Sequence, residues 1–263
     1  MPMRCLLWGL IGLWAAAPAI GAGGLPDHVN EVGLLVAPTV AHSSAASGLF
    51  NPAAWWVPGT AKVHFSWRDR VCAREDPKDW TAAVAGGRVA FGMQRFQHRG
   101  AEGRWHHLDE YTIGLTGGQP GSHTGISYTW NRGSRNQMAR HRRMAVGMTR
   151  WGRALGVGSV AVIDLEKKDH YVAADVALET WNSRLTFFVD TVYRYGDQWD
   201  DLTGAVGLSL VPAKGIAVAA RVREGGACGI RVQLDLADGY RPSVRMYFDD
   251  DQEHWATVYA IER

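Results

Sequence analysis

From Thr60 to its last residues the chain repeats one pattern: roughly ten residues alternating in polarity, a cluster of turn formers, then alternation again. Successive side chains of an extended strand point to opposite faces, so alternation sorts residues onto two surfaces of a sheet. In RLTFFVDTVYRY, Leu185, Phe187, Val189, Thr191, Tyr193 and Tyr195 share one face, while Thr186, Phe188, Asp190, Val192 and Arg194 share the other. GIAVAARVRE sets Ile216, Val218, Ala220 and Val222 against Ala217, Ala219, Arg221 and Arg223. VHFSWR sets Val63, Phe65 and Trp67 against His64, Ser66 and Arg68. Helical periodicity is nearly absent, and the chain is predicted to be all-β.

A soluble sandwich and a membrane barrel both alternate, but they turn opposite faces to their own interior. Three observations favour the membrane. The polar faces mix full charges with Ala and Gly, as in Ala145, Gly147 and Thr149, which suits a crowded lumen. Aromatic residues, among them Trp67, Trp80, Tyr111, Trp130, Trp151, Tyr171, Tyr195 and Trp255, gather near segment ends, where interfacial girdles lie. The segment length matches a tilted membrane strand of about 9–11 residues, against about 5–6 for soluble strands. The expectation is a transmembrane antiparallel up-and-down β-barrel in the bacterial outer membrane, contacting outer-membrane lipids. It has about 14 strands, from 60–69 to 254–262, with 12 as the alternative even count. The fourteenth strand depends on splitting WTAAVAGGRVAFGMQRF at Gly86-Gly87 into a hairpin.

Residues 1–22 have the layout of a secretory signal: Arg4, an apolar run to Trp14, then small residues to Ala22. Cys5 leaves with it, and Cys72 and Cys228 remain, far apart in sequence. With the N-terminal segment in the periplasm, the even-numbered turns, rich in Gly and Pro, face the periplasm and the more charged odd-numbered turns face outward. The formal net charge of +2 and 21% charged residues give no reason to expect nucleic acid as a partner.

Candidate chemistry is sparse. His106, His107, Asp109 and Glu110 alternate across a strand, so at most two converge, too few for a metal site. His64 and Ser66 share a face, but spacing names no third group to orient them. MARHRRMAVG and FDDDQEH read as solvated strand ends. No catalytic residue, metal or cofactor is expected. The informative polar set lies on the lumen face: Arg68, Arg143, Arg221, Arg231 and Arg245 with Asp175, Glu179, Asp190, Asp235 and Asp249. Charges in a closed interior need partners or water, so this set either fills the barrel with ion pairs or lines a polar passage.

Ahead of the barrel stands GLFNPAAWW. Pro52 fixes its own φ and pushes Asn51 toward an extended conformation, so the chain bends there without helix. Ala53 and Ala54 keep the corner thin, and Trp55 and Trp56 offer a ring to the wall or the interface. The signal, the Ser/Ala/Gly-rich segment carrying NPAA and the short alternating strands together resemble the FadL-like outer-membrane barrels, including those of the PorV type. A similar barrel precedes the catalytic domain in some SppA-type signal peptide peptidases, whose Ser/Lys domain has no place in these residues. The resemblance implies a hatch over 23–58 built on Asn51, Pro52, Ala53, Trp55 and Trp56, followed by a barrel over 59–263. It also implies a passive channel or transporter for small hydrophobic compounds. The alternative is a non-transporting barrel that anchors a periplasmic or outer-membrane partner of secretion or proteolysis.

Overall fold

The computed structural model describes residues 39–40, 44–70, 79–99, 105–133, 142–166, 170–196 and 202–263. The signal segment, the first part of the expected hatch, and Cys72 lie outside the described residues. The described residues form fourteen strands. They are β1 (Val57–Arg70), β2 (Asp79–Gly87), β3 (Val89–Arg99), β4 (Trp105–Gln119), β5 (Ser122–Gly133), β6 (Arg142–Trp151) and β7 (Leu155–Asp164). They continue with β8 (Tyr171–Thr180), β9 (Leu185–Arg194), β10 (Thr203–Ala213), β11 (Ile216–Arg223), β12 (Cys228–Leu234), β13 (Arg241–Phe248) and β14 (His254–Glu262).

Each strand pairs antiparallel with its neighbours in sequence, and β14 pairs with β1, so the sheet closes on itself. The seam is sealed by reciprocal backbone hydrogen bonds between Val63 and Arg263, at 2.8 and 2.9 Å. Closure leaves no sheet edge, which is the condition for a β-structure in a medium without water. The Gly86-Gly87 hairpin exists. Gly86 pairs with Val89 and the turn is Gly87-Arg88, with Gly87 at φ +60°, a left-handed conformation that glycine adopts without a Cβ penalty.

The apolar face is the outer one. Val63, Phe65, Val146, Val157, Val176, Phe187, Val189 and Val206 are all exposed on the barrel's outside. The residues between them turn inward, for example Phe188, Asp190 and Val192 between Phe187 and Tyr193. Aromatic pairs stack across strands on the outside, toward the rim where β1 ends: Trp67 on Tyr259 at 5.4 Å and Tyr111 on Trp130 at 5.6 Å between centroids. Two of the residues expected in that girdle are elsewhere. Tyr171 is buried on the inner face, and Trp151 turns inward to donate its Nε1 hydrogen to the Val40 carbonyl at 2.9 Å. Their strand parity, continuous with Ala145, Gly147 and Thr149 for Trp151, outweighs the tendency of a terminal aromatic to sit at an interface.

Candidate functional site

Residues 44–56 lie inside the barrel, packed chiefly against β4, β5 and β6. Asn51 is extended (φ −126°, ψ 105°), as the following proline requires, but the corner after it is one turn of 3-10 helix, Pro52–Trp55. Proline suits the first helical position and Asn51 caps it, its Oδ1 accepting from the Ala53 amide at 3.1 Å. This local cap is why the expected non-helical bend is helical for a turn.

The other end of Asn51 ties the segment to the wall. Its Nδ2 lies 3.3 Å from each of three acceptors: Thr39 Oγ1, the Met148 carbonyl of β6 and the Ser159 carbonyl of β7. Thr39 in turn donates to Asp175 Oδ2 of β8 at 2.9 Å, and the Val40 amide reaches the same oxygen at 3.4 Å. Asp175 is thus a wall carboxylate that latches the enclosed chain. Trp55, only 1% exposed, donates Nε1–H to the Ala45 carbonyl at 2.7 Å, and Trp56 tilts against His123 with ring centroids 5.8 Å apart.

The wall beneath is thin, with Ala83, Ala85 and Ala90 against Leu49, Phe50 and Trp55 and glycine at the closest approaches. Gly92, Gly114, Gly125 and Gly147 occupy inward positions on β3, β4, β5 and β6. A Cβ added at Gly114 would enter the Trp55 ring, at Gly92 the Leu49 side chain, at Gly125 the Pro52 backbone and at Gly147 the Asn51 amide. Gly48 likewise underlies Trp55 within the segment itself. Glycine in a strand interior weakens the strand and often marks close approach of another backbone. The sequence carried this signal as Gly at alternate positions of four consecutive strands, but it becomes specific only once those strands are known to be neighbours.

The lumen charges divide. Arg221 pairs with Asp190 across β9 to β11, Arg143 places Nη2 at 2.7 and 2.9 Å from the two oxygens of Glu110, and Arg68 lies 3.5 Å from Asp79. Asp175 and Asp190 are direct cross-strand neighbours, as are Arg231 and Arg245. Glu179 is half-buried at the turn into β9, accepting from Ser183 Oγ at 2.8 Å. Asp235 and Asp249 are not on the inner wall. Both fall just past a strand end, Asp235 exposed at one rim and Asp249 accepting from the Glu253 amide in a turn at the other. Alternation assigned them a face but not a height along the barrel.

Asp109 and Glu110 part as their parity demands: Asp109 meets Arg95 on the outside at 2.6 and 2.9 Å, and Glu110 meets Arg143 inside. Among the described residues no three metal-ligating side chains converge. His64 and Ser66 both face the lumen, and Glu262 of β14, a residue spacing did not single out, joins them. An apolar strip, Ala145, Val160, Val162, Tyr171 and Val192, lines the inner face of β6 to β9. Next to it, a cavity of about 30 Å³ is bordered by Phe50, Asn51, Val160, Asp175, Asp190 and Arg221.

No protein-family description and no curated protein matches the sequence. Among solved structures the fold is similar to a variant of the Rhodopseudomonas blastica porin (TM-score 0.47, 9% identity, covering 77% of this chain and 97% of that one). It is also similar to the KdgM porin (TM-score 0.45, 7% identity, 76% and 97%). These likenesses are distant, and the fold stands on the chain's own strand pairing.

Proposed function

We propose that the chain is a bacterial outer-membrane barrel that passes small hydrophobic compounds, with the N-terminal segment as its hatch. An outer face of exposed aliphatic residues running around a closed sheet is far larger than the patches soluble monomers expose, and lipid is the solvent that suits it. A hydrophobic cargo is consistent with the FadL-like resemblance and with the apolar strip on the inner wall beside the Asn51 corner. The observation that carries the reading is the way the segment is held: by hydrogen bonds from Asn51 and Thr39 and by contact with bare glycine, all of which can be released without opening the sheet.

Flux of a small hydrophobic dye through liposomes tests it, comparing the full chain with a deletion of residues 31–56. The deletion is expected to raise flux. No flux in either form sinks transport and favours a second reading, a docking barrel for a periplasmic or outer-membrane protein. That reading is supported by the ion-paired filling of the lumen, in which Arg221, Arg143 and Arg68 each face an acidic partner.

A further inference from the structure

Strand β1 carries His64 and Ser66 two residues apart on the lumen face, with His64 Nε2 3.1 Å from Ser66 Oγ. Directly across the closure seam from His64 stands Glu262, whose Oε1 lies 2.8 Å from His64 Nδ1. With Glu262 ionised its carboxylate can only accept, which sets the imidazole proton on Nδ1. The Nε2 lone pair is then left facing Ser66, which must donate. The order is therefore nucleophile, base and orienting carboxylate, with the ring enclosed at 1% exposure.

The surroundings supply what negative charge needs. In the row that runs from Ser66 across the seam, the next side chains are the small Ala260 and Ser243. One row along the strands, Arg245 lies two residues from Ser243 and directly opposite Arg231. Both arginines are buried, at 7% and 5% exposure, and among the described residues neither Nε has a hydrogen-bond partner. Two enclosed guanidiniums side by side repel, and an oxyanion between or beside them relieves that. In strand register Arg245 therefore stands one row from Ser66 and two strands across the seam, its charge bearing on His64, with Arg231 beside it on the next strand.

We propose that Ser66, His64 and Glu262 form a hydrolytic centre for small acyl esters that enter the lumen, with Arg245 stabilising the oxyanion. Ser66 Oγ bonds to the ester carbonyl carbon while its proton passes to His64 Nε2. The carbon–oxygen bond to the alcohol then breaks, and the alcohol leaves with that proton. Water, deprotonated by Nε2, next attacks the acyl-serine. The acid departs as the proton returns to Ser66. Because Val63, Phe65 and Trp67 carry the outer face of the same strand, the site is walled off from bilayer lipids and takes its substrate from the lumen.

The test uses the refolded full chain in detergent micelles, its folded state read by heat-modifiable gel migration, with a small fluorophosphonate probe and p-nitrophenyl acetate. Labelling located at Ser66 by peptide mass, lost in Ser66→Ala, is expected. Turnover is expected to fall at least about 100-fold in His64→Gln and at least about 10-fold in Arg245→Gln and Glu262→Gln. A natively migrating wild type that takes up no probe and cleaves ester no faster than Ser66→Ala overturns the proposal. So does a folded His64→Gln variant with wild-type turnover. If the His64, Arg245 or Glu262 variants fail to migrate as folded barrels, the comparison of wild type with Ser66→Ala decides alone.

Discussion

Replacing Gly147 with alanine should eject the enclosed segment while leaving the barrel intact. The added Cβ would occupy the space of the Asn51 side-chain amide, and Pro52 lies against the same glycine and against Gly125 beside it, so the corner is met at two points. The corner must lift, and Asn51 then loses its bonds to Thr39, Met148 and Ser159. At about 1 kcal/mol net for each hydrogen bond, some 2–4 kcal/mol of holding energy disappears. Since each 1.4 kcal/mol is a factor of ten, the population of the released segment should rise by roughly 30- to 1000-fold. The strand pairing of Gly147 with Gly125 and Val160 uses only backbone atoms and is unaffected. Limited proteolysis in micelles reads the outcome. Cleavage within 44–56 should accelerate by that factor while the barrel keeps its heat-modifiable migration. Unchanged protection of the segment, or loss of the barrel itself, would refute the reasoning that the glycines exist to seat Asn51.

Other perturbations separate the segment, the lumen and the outer face. Trp55→Ala removes an almost fully buried indole and its bond to Ala45, and should release the segment by about 3–5 kcal/mol in the same proteolysis assay. Arg221→Gln removes the cation hydrogen-bonded to buried Asp190, and should lower the urea stability of the barrel by about 3–5 kcal/mol. Val189→Arg places a charge on the outer face between exposed Val176 and Val206, and should lower the folding stability in lipid vesicles by about 2–4 kcal/mol, read by urea titration. Asp175→Asn keeps an acceptor for Thr39 and Val40 and should leave the segment in place, whereas Asp175→Ala should speed its cleavage.

How far the sequence foretells this molecule follows from what alternation encodes. It encodes a face: Phe187 and Val189 lie exposed on the outer one, and Asp190 and Arg221 are buried on the other. It does not encode height, which is why Asp235 and Asp249 share a parity with lumen residues yet lie beyond the strands. Nor does it encode which distant strands meet. Glu262 lies 198 residues from His64 and becomes its neighbour only through closure of the sheet. The same blindness hid the glycine bed: Gly92, Gly114, Gly125 and Gly147 are unremarkable singly and become a surface only when β3 to β6 lie side by side. The bend at Asn51-Pro52 is legible because the fixed φ of Pro52 acts locally, whereas the helical turn that follows depends on the Asn51 cap, which the sequence reading did not use.

The seam between β1 and β14 bears on assembly as well. The chain's first strand and its last must find one another before Val63 and Arg263 can exchange hydrogen bonds, and all twelve intervening strands are paired without them. His64 and Ser66 arrive on one side of that join and Glu262 on the other. An open sheet, however complete otherwise, holds an imidazole with no carboxylate to set its proton. Whatever the lumen can do chemically at Ser66 therefore begins only when the cylinder shuts, and a probe that reports on Ser66 also times the moment of closure.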